Sequence, residues 1–145
     1  MEYNPLRPAG IIDVSRQELV SVFVEPFEHK ERREYLVGRF EALIERFEET
    51  GVSAEVWIDG SFATIKPEPA DVDMVMFYDE NQVKLLENDK QVILRELGNS
   101  QYTKIRYNCD LYFAPNNRTD VRSYWRGWFG FTREEQPKGI FRMFV

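Results

Sequence analysis

The stretch Trp57-Ile58-Asp59-Gly60-Ser61 is separated by nine residues from Asp71-Val72-Asp73-Met74-Val75-Met76, and these two runs decide the fold. Each run is short and mostly apolar, which predicts one strand over residues 55–59, a turn at Gly60 and Ser61, and a second strand over residues 72–78. Side chains alternate between the two faces of a strand, so Asp71 and Asp73 are expected to point to the same side.

The polar residues of these runs indicate a site for a metal ion and a phosphate. Two carboxylates on one face repel each other unless a cation lies between them, and oxygen ligands suit Mg²⁺ or Mn²⁺. Glycine lets a phosphate approach the backbone and serine offers a hydroxyl, so Gly60 and Ser61 are candidate nucleotide-binding residues. The prolines of Lys66-Pro67-Glu68-Pro69 exclude a helix there, and we expect this loop to present Lys66 beside the phosphate.

A third carboxylate is expected from the run Ile105-Arg106-Tyr107-Asn108-Cys109-Asp110-Leu111-Tyr112-Phe113. If this run is a strand, its alternation places Asp110 on the polar face and the following residues on the buried face: Ile105, Tyr107, Cys109, Leu111 and Phe113. A Gly-Ser turn after an apolar run, an Asp-hydrophobic-Asp pair and a later aspartate together resemble the signature of the DNA polymerase β nucleotidyltransferase superfamily, which has hydrophobic-Gly-Ser at the turn. The resemblance covers residues 55–113.

The resemblance implies an α+β fold, the nucleotidyltransferase palm, with a small mixed β-sheet and helices mainly on one face. It implies that Asp71, Asp73 and Asp110 are catalytic and hold Mg²⁺ or Mn²⁺, while Gly60 and Ser61 anchor a nucleoside triphosphate. The expected reaction moves a nucleoside monophosphate to a hydroxyl of a protein, an RNA end or a small molecule and releases pyrophosphate. The alternatives are a non-catalytic nucleotide- or partner-binding module, such as an antitoxin or defence-system sensor, and a structural protein with an incidental motif.

Three further stretches resemble a small family of bacterial nucleotidyltransferase-like proteins of unassigned function: Asp13-Val14-Ser15-Arg16-Gln17-Glu18-Leu19, residues 57–66, and Lys138-Gly139-Ile140-Phe141. The superfamily's polymerases and tRNA-end enzymes generally carry a second helical domain, for which this chain has no room. We therefore expect a small acceptor, an acceptor presented by a protein partner, or action as an oligomer.

The remaining elements follow from periodicity and end signals. Ser15 and Glu18 form a capping box, which predicts a helix over residues 16–24 that Pro26 ends. A longer helix over residues 29–50 carries an apolar stripe and stops at Gly51; the stripe contains Tyr35, Leu36, Phe40, Leu43, Ile44 and Phe47. One helix is predicted over residues 80–97, and a short helix or turn followed by a strand over residues 140–145 at the end.

Length and composition limit the class of protein that this chain can be. A chain of 145 residues with 43% hydrophobic content is expected to form one domain, with N-terminal helices over residues 15–50, a core over residues 55–113 and a basic, aromatic segment over residues 114–145. The chain shows no signal peptide or run of membrane length, which predicts a cytoplasmic protein without membrane contact. Its one cysteine, Cys109, is expected to pack as a small hydrophobe.

Charge is unevenly distributed along the chain. Residues 1–103 carry 11 basic and 21 acidic side chains, whereas residues 104–145 carry 8 basic and 4 acidic ones. The basic residues of the last third could counter a triphosphate or an acidic partner: Arg106, Arg118, Arg122, Arg126, Arg133 and Lys138. The acidic chain as a whole argues against tight, sequence-independent binding of long nucleic acid. Trp125 and Trp128 could form a stacking platform, although a place in the core is the favoured interpretation.

Overall fold

The two apolar runs form adjacent antiparallel strands in a five-stranded mixed sheet; the computed structural model describes residues 2–145. The strands are β1 (Gly10–Asp13), β2 (Ala54–Asp59), β3 (Val72–Tyr78), β4 (Cys109–Pro115) and β5 (Gly139–Phe144). Their order across the sheet is β1-β5-β2-β3-β4, with parallel β1/β5 and β3/β4 pairs and antiparallel β5/β2 and β2/β3 pairs. The predicted strands over residues 55–59 and 72–78 are therefore confirmed.

Six α-helices connect and cover the strands. They are α1 (Leu19–Phe23), α2 (Glu31–Glu48), α3 (Glu80–Lys84), α4 (Asn88–Gly98), α5 (Ser100–Tyr107) and α6 (Thr119–Phe129), with short 3₁₀ turns at Arg16–Glu18 and Gly60–Ala63. Helices α1, α2, α4 and α5 pack on one face of the sheet, which we call the helical face; its core includes Phe23, Leu36, Phe40, Phe47, Val56, Met74, Ile93 and Leu97. The coarse prediction of a mixed sheet with helices mainly on one face agrees with this arrangement.

Helix α6 alone covers the opposite face, which we call the α6 face. Its smaller core contains Trp57, Val75, Phe77, Ala114, Phe129 and Ile140. Arg122 attaches the helix to the sheet, because its guanidinium donates to the Glu55 carboxylate at 2.9 Å and lies over the rings of Trp57 and Phe77. Both faces of β2 and β3 are thus covered, which is why these strands are apolar almost without interruption.

Several helix predictions hold in outline. Glu18 closes the predicted capping box by accepting from the Ser15 backbone N–H at 2.9 Å. Gly51 follows α2 with a φ of 77°, a left-handed conformation that glycine adopts without strain. The stripe predicted for α2 includes Tyr35, but its side chain is exposed because it lies about 100° around the helix from Leu36, on the side away from the other buried residues of the stripe.

Two element predictions are wrong. The strand expected from Ile105 begins only at Cys109, because Ser100–Tyr107 form α5, whose start is capped by Asn99 and whose end is Asn108 at a φ of 52°. Ile105 is therefore 78% exposed rather than buried. From Cys109 onward the predicted alternation is correct, and Asp110 lies on the face opposite to Cys109 and Leu111.

The single helix predicted over residues 80–97 is also wrong, because it is divided into α3 and α4. Asp79 caps α3 by accepting from the backbone N–H groups of Asn81 and Gln82. Asp89 in the first turn of α4 favours a second helix start, since acidic groups stabilise helix N-termini. Strand β1 was not predicted at all; it is a four-residue edge strand that forms only against β5.

Candidate active site

Three aspartates form a row across three neighbouring strands. Asp59 at the end of β2 lies opposite Asp73 near the start of β3, and Asp73 lies opposite Asp110 near the start of β4. Residues in register on adjacent strands project to the same side of a sheet, and the alternation places all three on the α6 face. The structure thereby brings the predicted Asp73 and Asp110 together and adds Asp59, which sequence reasoning did not assign to the site.

The Gly60 turn lies against this row. Gly60 has a φ of 73°, and a Cβ atom added to it would lie 2.7 Å from Cγ and 2.9 Å from Cβ of Asp73. A glycine is therefore required here both by backbone conformation and by space. The Gly60 N–H donates to Asp59 Oδ1 at 2.6 Å, so in this conformation it is not free for a phosphate. Ser61 follows, half-buried, in the same 3₁₀ turn.

The carboxylates are close enough to change one another's protonation. Burial, followed by the charges of Asp71 and Asp110, raises the pKa of Asp73 to about 6. Burial also raises the pKa of Asp59 to about 7, although Lys138 and the Gly60 N–H act in the opposite direction. Side-chain atom Oδ2 of Asp59 is buried and has no hydrogen-bond partner within residues 2–145. A buried acceptor without a partner is costly, and such groups concentrate where a ligand, proton or ion is bound.

Two lysines neutralise part of this charge. Lys138 forms a buried ion pair with Asp59 Oδ1, and Lys104 forms a more exposed pair with Asp71 Oδ2 at 3.7 Å. Lys66, the predicted phosphate ligand, makes no ion pair with the aspartates within the described residues. Its backbone carbonyl instead accepts two hydrogen bonds from Arg33, at 3.2 and 2.7 Å.

The fit of a divalent ion can be judged from these contacts. Within residues 2–145, no three His, Cys, Asp or Glu side chains form a ready-made metal-binding group. Asp73 and Asp110 are nonetheless neighbours on one face, and the charge of Asp110 helps to raise the pKa of Asp73. Mg²⁺ is commonly bound by one or two carboxylates together with substrate phosphates and water. The aspartates therefore suit Mg²⁺ delivered with a nucleotide better than a permanently bound ion.

Arg33 organises the loop that carries the turn. Its guanidinium is fully buried on α2 and donates to the carbonyls of Phe23, Phe62, Thr64 and Lys66. Sequence reasoning missed this residue, although a signal exists: Arg33 occupies the apolar stripe of α2, three, four and seven positions before Leu36, Val37 and Phe40. A charged residue in such a stripe is expected to have buried polar partners.

Of the other residues considered in the sequence analysis, Cys109 and Trp125 pack in or against the core and Trp128 lies on the surface. Cys109 is buried as predicted, and burial raises the pKa of its thiol, so it behaves as an inert core residue. Trp125 packs against the α6-face core, whereas Trp128 is 67% exposed, so its predicted core position is wrong. An open surface depression of about 340 Å³ near His29, Arg32, Tyr35 and Glu68 does not include the aspartates.

No helix within residues 2–145 has the length and apolar character needed to cross a membrane.

The fold and the row of acids define a mixed α/β protein with an acidic site at the edge of a glycine turn. Residues 1–143 match a family of unknown function, DUF6932, and the chain belongs to that family. Comparison with curated proteins and with solved structures gave no match.

Proposed function

We propose that this protein is a metal-dependent nucleotidyltransferase that moves a nucleoside monophosphate from a nucleoside triphosphate to a hydroxyl acceptor. The observation that carries the proposal is the alignment of Asp73 with Asp110 across β3 and β4, beside a glycine whose backbone lies against Asp73. The resemblance of these motifs to the DNA polymerase β superfamily supports the same assignment. Asp71, two residues before Asp73, adds a third carboxylate whose charge acts on Asp73.

The roles follow from the chemistry of phosphoryl transfer. Asp71, Asp73 and Asp110 would hold Mg²⁺ or Mn²⁺, and the ion would neutralise phosphate charge and lower the pKa of the acceptor hydroxyl. Gly60 and Ser61 would position the triphosphate. The acceptor oxygen forms a bond to the α-phosphorus as the bond from that phosphorus to the oxygen bridging the β-phosphorus breaks. The hydroxyl proton is lost to a base or solvent, and pyrophosphate leaves.

Transfer can be measured by incubating the protein with Mg²⁺ or Mn²⁺ and each α-labelled nucleotide, with and without cellular RNA or lysate. Asp71→Asn and Asp73→Asn should each abolish metal-dependent transfer, because each removes a charged oxygen ligand. Asp110→Ala should retain most nucleotide affinity but lose transfer by about a thousandfold or more, as expected when a group acts chiefly in the transition state. Asp89→Asn, an exposed aspartate on α4, is the matched control.

A parent protein that transfers label equally well after Asp110→Ala would contradict the role given to this residue. Unchanged metal dependence of nucleotide binding in both Asp71→Asn and Asp73→Asn would place the site elsewhere.

A binding module without turnover is the second candidate, and a different observation favours it. The ammonium groups of Lys104 and Lys138 neutralise Asp71 and Asp59, so the acidic site is partly compensated without a metal ion. Under this alternative, the parent binds a nucleotide or a protein partner but transfers no label with any metal, nucleotide and acceptor tested.

A further inference from the structure

We propose that Lys138 binds the phosphate oxygens of the nucleotide and that Asp59 is the positioning residue that holds its ammonium at the site. This inference rests on the proposed function, because it names the residue that recognises the triphosphate of that reaction. Neither residue belongs to the motif that pointed to the site. Asp59 stands where that motif has a hydrophobic residue, and Lys138 lies near the C-terminal end of the chain.

The backbone around Lys138 is held on both sides. The Lys138 N–H donates to the Gly130 carbonyl at 2.9 Å, and the next N–H, that of Gly139, donates to the Arg7 carbonyl at 3.0 Å. Gly139 is also enclosed, because an added Cβ would lie 2.8 Å from the Pro8 carbonyl oxygen. Lys138 therefore enters the site from a fixed position immediately before β5.

The side chain of Lys138 is mostly buried, with 11% of its surface exposed, and its charge reaches two aspartates. The ammonium pairs with Asp59, and its positive charge also acts on Asp73, whose pKa it lowers against the opposing effect of burial. Lys138 consequently lies close to the row of acids that the proposed reaction uses.

The hydrogen bonding of this ion pair is incomplete on both sides. An ammonium has three N–H donors, yet Asp59 is the single carboxylate paired with it within residues 2–145. Asp59 Oδ2 is buried and has no donor. A buried ion pair stabilises a protein only when its remaining hydrogen-bonding groups are satisfied. The other N–H groups of the Lys138 ammonium call for a ligand with acceptor oxygens, whereas Asp59 Oδ2 is itself an acceptor and calls for a donor or a proton.

The chemistry of that ligand follows from the sign of the charge. Lys138 repels a metal ion and attracts an anion, and an ammonium is a common point-charge ligand for phosphate. The other two lysines are less suited. Lys104 is 61% exposed and engaged with Asp71, and Lys66 makes no ion pair with an aspartate within residues 2–145. Asp59 also fixes the turn, since its Oδ1 accepts from the Gly60 N–H.

The test measures binding of inorganic triphosphate, and of each nucleoside triphosphate, in the presence of Mg²⁺ by calorimetry. Lys138→Gln should weaken binding by about tenfold or more, the loss expected for a charge-assisted hydrogen bond to an anion. Lys138→Arg should recover part of the affinity because it keeps the charge. The double variant Asp59→Asn/Lys138→Gln removes both charges together, so it keeps the result interpretable if Lys138→Gln alone fails to fold.

Lys84→Gln is the matched control, because Lys84 is exposed on α3 beyond the other end of β3. Lys66→Gln tests the competing sequence-based expectation and should have a smaller effect than Lys138→Gln. A folded double variant with the affinity of the parent would overturn the inference, as would a larger loss in Lys66→Gln.

The outcomes separate this inference from the proposed function. A parent that transfers label while Lys138 variants bind triphosphate normally overturns the inference alone. A parent that binds triphosphate through Lys138 but transfers nothing supports the inference and contradicts the catalytic proposal. A parent that binds no triphosphate with Mg²⁺ or Mn²⁺ overturns both.

Discussion

Two buried charges, Arg33 and Asp59, make hydrogen bonds to the same turn but differ in how completely their hydrogen-bonding groups are satisfied. Arg33 makes five hydrogen bonds to backbone carbonyls, and burial lowers its pKa to about 10, which leaves it charged at neutral pH. Asp59 has Lys138 and the Gly60 N–H as partners, but its second oxygen has none among the described residues 2–145. The first arrangement is complete without a ligand, whereas the second is incomplete.

The difference shows how a structural charge can be distinguished from a functional one by its hydrogen-bond partners. A buried charge costs several kcal/mol unless its hydrogen-bonding capacity is filled, so an unfilled one marks a place where a ligand, a proton or an ion can bind. Arg33 is accordingly a scaffold residue that holds the loop over residues 60–66, and Asp59 belongs to the site. Substitutions of Arg33 should therefore mainly affect stability, whereas substitutions at the site of Asp59 should also affect ligand binding.

The largest effect on stability is expected from Arg33→Met. The substitution keeps the apolar stem but leaves the carbonyls of Phe62, Thr64 and Lys66 without a donor, and we expect a loss of about 3–5 kcal/mol in the free energy of unfolding. Urea denaturation of the parent and the variant measures this loss. Arg95→Met, at an exposed position of α4, should change stability by no more than about 0.5 kcal/mol. A loss below about 1 kcal/mol for Arg33→Met would show that the hydrogen bonds of Arg33 are not needed.

An intermediate effect is expected from Gly60→Ala. The new Cβ would collide with the Asp73 side chain at a backbone conformation that disfavours L-residues, so stability should fall by about 2 kcal/mol or more. Nucleotide binding should fall with it, because Asp73 must move. Gly38→Ala, at a helical position with open space, should be neutral or stabilising under the same urea denaturation. Normal stability and nucleotide affinity in Gly60→Ala would separate Gly60 from the site.

The smallest effect is expected from Asp73→Asn in the metal-free protein. The pKa of Asp73 is raised in the folded state to about 6, so the folded protein binds this proton more tightly than the unfolded chain. Its contribution to the free energy of unfolding is therefore present below pH 3.8 and is lost as the pH rises towards 6. Asparagine cannot ionise, so Asp73→Asn should be more stable than the parent at pH 7.5 by about 1 kcal/mol, after allowance for solvent screening.

Urea denaturation at pH 4.5 and 7.5 in the presence of a chelator measures this difference, with Glu28→Gln, at an exposed position between α1 and α2, as the control. The parent should lose more stability than Asp73→Asn between the two pH values. An identical pH dependence of the two proteins would mean that burial and like-charge repulsion do not raise the pKa of Asp73 in the folded protein.

Strands β2 and β3 and helix α2 could be predicted from sequence because each carries its own signal within a short segment. The apolar runs of β2 and β3, the stripe of α2 and the glycine after it are periodicities and end signals contained within each segment. The same reasoning failed over residues 105–108, because the alternating apolar residues between Ile105 and Phe113 are divided between a helix and a strand. A helix cap at Asn99 and a left-handed Asn108 decide the boundary, and short apolar runs do not reveal it.

Sequence alone determined that two aspartates one residue apart follow a glycine turn, because that spacing is a covalent property of the chain. Only the tertiary structure decided which other charges meet them. The register of β2 with β3 and of β3 with β4 aligns Asp59, Asp73 and Asp110, and the position of β5 beside β2 brings in Lys138. Register and strand order depend on packing between segments that are far apart in the chain, and therefore no local pattern encodes them.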